Sequence, residues 1–331
     1  MKTKLLTLIL SIFCSLAAGA QQIDEKTVKK AFAVKGTHRA PFKNATEACL
    51  TSVNLQFKLG TRQEQEKRGV GNVITWGFLE GIDDTLMQEI TDEYYKMLSE
   101  KLKAHGIALS DAYKGTEQYQ KLVDNNADLS REVEKKNWGV SKIFTANNAP
   151  YIEFPVGMMG AHSSLGNKLK IPVGMVFVTV DFITINQDIK KGVSNLWGER
   201  TDKFETSIEP IISVVPTTQG GKMKGDGSYA RFAGNNWGFC NPNLIWSLAS
   251  DVPYAATLKS AEGMPESMKK FKSAVLGDMA AIFSKGLVKS GRGAAENTFL
   301  IQADPQAYKK AALNALDKYN DFLISYIKIN N

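Results

Sequence analysis

The run "KIPVGMVFVTVDFITINQD", Lys170 to Asp188, constrains this fold more than any other stretch. Side chains alternate across a strand. Phe177, Thr179, Asp181, Ile183 and Ile185 therefore share one face, and Val176, Val178, Val180 and Phe182 the other. One face is wholly apolar and the other mixed, the pattern of a sheet covered mainly on one side. Asp181, the acid within the apolar run, is expected on the solvated half. "CLTSVNLQFKLG", from Cys49, alternates in the same way, and the chain returns through Val73 and Thr75 as a long hairpin.

Helices supply the cover. In "DDTLMQEITDEYYKMLSEKLKAHG", Leu86, Ile90, Tyr94, Leu98 and Leu102 recur every four residues, a one-sided apolar stripe. Asp83 or Asp84 caps its start, Gly106 followed by Ile107 stops it, and Asp92 stands four residues before Lys96 as a favourable pair. A second stripe runs through Met268, Phe271, Val275, Met279 and Ile282. A last helix opens with Asp304 as cap and Pro305 in its first position, its packed side formed by Tyr308, Ala312, Ala315, Tyr319, Leu323 and Tyr326. The strand "NTFLIQ" runs into it. The class is α+β: a mainly antiparallel sheet with long amphipathic helices packed on one side.

The N-terminus reads as a secretory signal. Lys2 and Lys4 precede an apolar core from Leu5 to Leu16, and Ala18-Gly19-Ala20 is a small-x-small cleavage site. Ile12 and Phe13 before Cys14 do not suit a lipid-modified cysteine. The expected organisation is a signal peptide over 1–20 and one globular α+β domain over 21–331, with 21–150 and 151–331 as alternative lobes. No transmembrane segment is expected after cleavage, and the expected location is the periplasm, the cell surface or beyond. The net charge of +7 falls by two when the signal leaves. The basic residues are scattered doublets such as Lys190-Lys191 and Lys309-Lys310, not the stripe with interleaved aromatics of a nucleic-acid site. Cys49 and Cys240 then remain as an even pair in an oxidising compartment. They read either as a disulfide, worth roughly 5 kcal/mol at most in the chain-entropy model, or as two separate buried thiols.

The segment from Leu55 to Val123 (strand, long helix, short strand after a glycine stop, second helix) resembles the periplasmic α/β domains of the curli-secretion channel and of the Tol-system propeller protein's N-terminal region. "EKLKAHGIALS" looks like their helix end and following strand; the Thr-Gly turn often found between their later strands is missing. The resemblance implies a role in assembly or maintenance of the cell envelope.

The motifs that could carry chemistry are incomplete. "GMMGAHSSLGN" offers His162 beside Ser163, yet a nucleophile elbow needs Gly-x-Ser-x-Gly at a strand-to-helix turn, and neither Ser163 nor Ser164 has both glycines. The segment reads as a polar loop. His38, His105 and His162 lie far apart, without metal-ligand spacing, and Asp226 in "GGKMKGDG" lacks the evenly spaced oxygen ligands of a calcium loop; this segment reads as a hairpin turn. No cofactor is expected. The remaining constellation is "YARFAGNNWGFCNPNLIW", Tyr229 to Trp246. There Asn235, Asn236, Trp237, Phe239 and Trp246 combine flat aromatic faces with amides and could bind sugar. The leading expectation is a non-enzymatic envelope or surface protein with a protein partner. A carbohydrate-binding protein using that loop is second, and a hydrolase third.

Overall fold

The computed structural model describes residues 23–34, 41–67, 71–126, 131–135, 139–152, 159–190, 203–219, 222–223, 227–234, 239–254, 256–260 and 295–329. The expected signal segment, the helix expected around 268–282 and Asp226 lie outside them. Helix α1 is Glu25–Ala31, α2 Asp84–Ala104, α3 Glu117–Asp124, α4 Met159–Leu169 and α5 Pro305–Ile329. The strands of the first half are β1 Phe32–Val34, β2 Glu47–Lys67, β3 Gly71–Glu80, β4 Ala108–Leu109, β5 Glu132–Lys135 and β6 Gly139–Thr145. Next come β7 Val173–Asp181, β8 Thr184–Lys190, β9 Lys203–Glu209, β10 Ser213–Val214, β11 Thr218–Gln219 and β12 Lys222–Met223. The last are β13 Tyr229–Ala233, β14 Phe239–Cys240, β15 Pro242–Leu244, β16 Leu248–Ala249, β17 Ala256–Ser260 and β18 Ala295–Ala303. The fold is α+β. Its main sheet runs β1-β15-β13-β7-β2-β3-β18-β17 and is mostly antiparallel, with parallel pairs at β2–β7, β2–β4 and β3–β18.

The 21-residue β2 organises the sheet. Along one edge it carries β7 over Cys49–Phe57, then β3 from Gly60 onward. The other edge carries β6 from Asn54 to Thr61, so Gly60 pairs with both Phe78 and Val140. A bulge at Leu59 shifts the register between Lys58 and Gly60. Bulges bend and twist a strand locally, and here the bend separates β7 from β3. Gly139 closes the bulge: its φ is +104°, and a Cβ there would stand 1.7 Å from the Gly60 carbonyl oxygen.

Helices α2 and α5 cover one face. The expected stripe of α2 is buried in full, with Asp83 accepting from the Leu86 N–H at 2.8 Å and Gly106 at φ +82° past its end. Asp304 caps α5 through the Ala307 N–H at 2.7 Å. Charged bridges join the two helices outside the core: Lys309 contacts Glu89 at 2.7 Å and Glu93 at 2.8 Å, and Lys101 contacts Asp317 at 2.8 Å and also Asp321. Helix α5 is buried around more of its circumference than one stripe, with Asn320 and Ile324 inside as well as the expected tyrosines and alanines. Asp92 does not pair with Lys96. It accepts from the Asn147 N–H at 2.6 Å and Gln88 Nε2 at 2.9 Å, pinning a turn in which Asn147 has φ +54°.

Two expectations are corrected. β7 has no solvated half: all nine residues are buried. Val176, Val178 and Val180 enter the main core, while Met175 and Phe177 on the other face join Ile143 and Tyr229 in a smaller one, with Phe177 stacked on Tyr229 at 5.3 Å. The strand also ends at Asp181, where the Phe182 N–H turns to the Asp181 carboxylate at 2.9 Å and the Phe182 carbonyl accepts from the Tyr254 hydroxyl. Those backbone groups leave the ladder, and the chain restarts as β8.

Candidate functional site

The site is the fork in β2. The β2–β7 register pairs Phe57 with Val180, so one step further Lys58 faces Asp181. Lys58 Nζ lies 2.6 Å from Asp181 Oδ2, and Asp181 Oδ1 accepts from Thr61 Oγ1 at 3.0 Å and from the Phe182 N–H at 2.9 Å. Asp181 is only 7 % exposed, which corrects its expected solvated position. Burying a charge is costly unless it is paired and hydrogen-bonded, and Lys58 and Thr61 meet that need.

Four residues along β2 a second ion pair follows. Arg62 Nη2 contacts Glu64 Oε2 at 2.6 Å, with its guanidinium 5.5 Å from the centre of the Trp76 ring. Asn72 Nδ2 donates to the same carboxylate at 2.7 Å. Burial pushes Glu64 upward, but the bonds from Asn72 and Arg62 outweigh it and hold the carboxyl below its usual range.

Together these pairs border a cleft of about 810 Å³. Thr184, Ser213 and Ser247 add hydroxyls to its lining, and Ile183, Ile185, Val215 and Pro216 add apolar surface. Ser213 lies beside Asp181 because β10 pairs the far edge of β7.

Strands β8 and β9 leave the main sheet here as a ribbon, in antiparallel register from Thr184↔Glu209 to Lys190↔Lys203. Two contacts hold its base. Gln187 Nε2 donates to Thr75 Oγ1 at 2.8 Å, and Ile183 packs so closely on Gly77 that a Cβ there would be 2.7 Å from its Cδ1.

The candidates read from sequence lie elsewhere. "GMMGAHSSLGN" is largely helix α4, not a loop. Its glycines are poor helix formers, but Leu165 is buried in a side core, and Gly166 approaches the Ala233 carbonyl oxygen so closely that a Cβ would meet it at 3.0 Å. Packing overrides propensity. Ser163 is buried, and His162 contacts Thr51 Oγ1 at 2.9 Å through Nε2. The Thr51 hydroxyl donates its one proton to the Gly174 carbonyl at 3.1 Å, so His162 must donate to Thr51 from Nε2–H. Burial, with Arg231 nearby, lowers the His162 pKa to about 4.

Of the two readings of the cysteine pair, the disulfide is not formed: Cys49 and Cys240 are free, buried thiols. Trp246 is half-buried, edge-on to Phe322 of α5 at 6.5 Å. Phe239 opens β14 opposite Ala233, and Asn235, Asn236 and Trp237 lie outside the described residues. Among the described residues no three His, Cys, Asp or Glu side chains converge as metal ligands, and no helix is long and apolar enough to cross a membrane.

Lys58, Thr61, Arg62 and Glu64 were not singled out by sequence reasoning. A signal was present: Asn54, Gln56 and Lys58 are polar at every second position of a stretch, Val53 to Leu59, whose other residues are apolar. Comparison with protein-family models, curated proteins and solved structures found no match to this chain.

Proposed function

We propose that this chain is an exported, non-enzymatic envelope or surface protein that works by binding a partner protein, in assembly or maintenance of the envelope. The observation that carries this reading is the β8–β9 ribbon. Its strands pair over seven residues with one another, and among the described residues with no other strand. Unpaired strand edges carry rows of N–H and C=O groups that can template pairing with another chain, and strand addition is a recurrent mode of protein recognition. The N-terminal signal pattern supports export, and the resemblance to the curli-secretion and Tol-system domains supports a role in the envelope.

The test places a photo-cross-linking residue at Asn186 or Ser207, both exposed on the ribbon, and at Lys103 at the end of α2 as control. In the native cell, a discrete adduct with an envelope protein is expected from the ribbon positions and not from Lys103. Equal adducts from all three positions, or none from the ribbon, would refute the reading. Fractionation checks export: the processed chain should begin at Gln21 and be absent from the cytoplasm.

A further inference from the structure

We propose that the cleft at the β2 fork binds an uncharged saccharide. The site and ligand class lie beyond the partner-binding role of the ribbon and use different residues from the aromatic segment 229–246.

The charge arrangement selects the ligand. Each cation in the lining already has its own carboxylate, Lys58 with Asp181 and Arg62 with Glu64, both at 2.6 Å. An anionic ligand would have to displace one of these carboxylates. A cationic ligand that reached Asp181 or Glu64 would have to displace a buried ammonium or guanidinium, and removing one partner of a buried pair strands the other charge. The remaining lining carboxylate, Glu66, is exposed to water, where an ion pair is worth little. A hydroxyl needs neither exchange, because it donates and accepts at once. Asp181 accepts from Lys58, Thr61 and Phe182, which leaves one of the roughly four acceptor sites of a carboxylate for a sugar O–H.

The rest of the lining suits the same chemistry. Thr184, Ser213 and Ser247 can each donate to or accept from ring hydroxyls, while Ile183, Val215 and Pro216 offer apolar surface for C–H faces. Ligand pockets commonly combine apolar walls with a few fixed polar groups, in volumes of about 300–1,000 Å³, and this cleft of about 810 Å³ falls in that range. The two ion pairs fix the orientation of the polar groups before a ligand arrives, so little ordering remains to be done on binding.

The test is titration calorimetry with saturation-transfer NMR on the full processed chain. The probes are the neutral trisaccharides maltotriose, cellotriose and chitotriose, with trigalacturonate and the deacetylated chitosan trimer as anionic and cationic comparators. At least one neutral probe is expected to bind with Kd below about 1 mM, a range of weak, specific affinity, and at least tenfold more tightly than either charged comparator. Two variants locate the site. Lys58→Met/Asp181→Leu removes the buried pair together, and Ser247→Trp, at an exposed wall position, fills the cleft without touching the pair; each should weaken binding tenfold or more. The proposal is overturned if no neutral probe binds at 10 mM, if a charged comparator binds best, or if Ser247→Trp binds as the unmodified chain does. Because the ribbon cross-links are read from other positions, they would survive failure of the saccharide site.

Discussion

Lys58 and Asp181 face one another across two parallel strands, 2.6 Å apart, at the point where β2 bulges and β7 ends. The pair costs desolvation and regains it through Thr61 and the Phe182 N–H. Removing one member leaves the other charge buried, so Asp181→Ala should destabilise the fold by about 3–5 kcal/mol, whereas Lys58→Met/Asp181→Leu should cost far less. Urea titration of the three proteins checks this. Equal losses in single and double variants would mean that the pair does not act as a unit.

His162 links α4 to β2 in its neutral form. Its pKa falls from the ordinary 6.5 to about 4 because of burial, with Arg231 adding repulsion. The unfolded chain therefore takes up a proton before the folded one. The contribution is fully present above pH 6.5 and is lost as pH falls toward 4, up to about 3 kcal/mol at 1.36 kcal/mol per unit. Stability measured between pH 7.5 and 4.5 should decline in the unmodified chain. In His162→Gln the decline over that window should flatten, because the buried imidazole whose pKa is shifted is gone. An unchanged slope would place the acid sensitivity elsewhere.

Cap chemistry makes a smaller, cleaner prediction. The Asp304 carboxylate accepts from the Ala307 N–H at 2.7 Å at an exposed position, ahead of Pro305. Asp304→Ala should lower stability by about 1 kcal/mol, while Asp304→Ser should restore most of it. If the serine variant is no better than alanine, the capping bond is not what Asp304 contributes.

What was legible in the sequence was local. The apolar period and the capping residues of α2 and α5 depend on neighbours a turn away, and both helices start at the expected aspartates. The strands "CLTSVNLQFKLG" and "NTFLIQ" were legible by alternation and composition. What was not legible depends on distant partners. Asp181 looks solvent-facing in its own strand because the alternation cannot show that Lys58, Thr61 and β10 stand around it. Two glycines made α4 look like a loop, since the carbonyl of Ala233 that Gly166 approaches lies far along the chain. The candidate cleft needs β2, β7, β8 and β10 together, and no short spacing in the sequence encodes that meeting.

The two cysteines show the same limit and give the last prediction. Cys49 pairs in register with Val173 of β7, Val173 pairs with Ala233 of β13, and the neighbouring Phe232 pairs with Cys240 of β14. Three strand spacings of about 4.8 Å separate the cysteines, roughly 14 Å, where a disulfide needs α-carbons within about 7 Å. Burial also pushes the Cys49 thiol up to about 11 and that of Cys240 to about 12, so little reactive thiolate forms near neutral pH. In the native protein, iodoacetamide should label both slowly and to the same extent with or without reductant. In urea both should label fully, again without reductant. A Cys49–Cys240 peptide in a non-reducing digest, or urea labelling that requires reductant, would mean that the strand order between β2 and β14 differs from the one described.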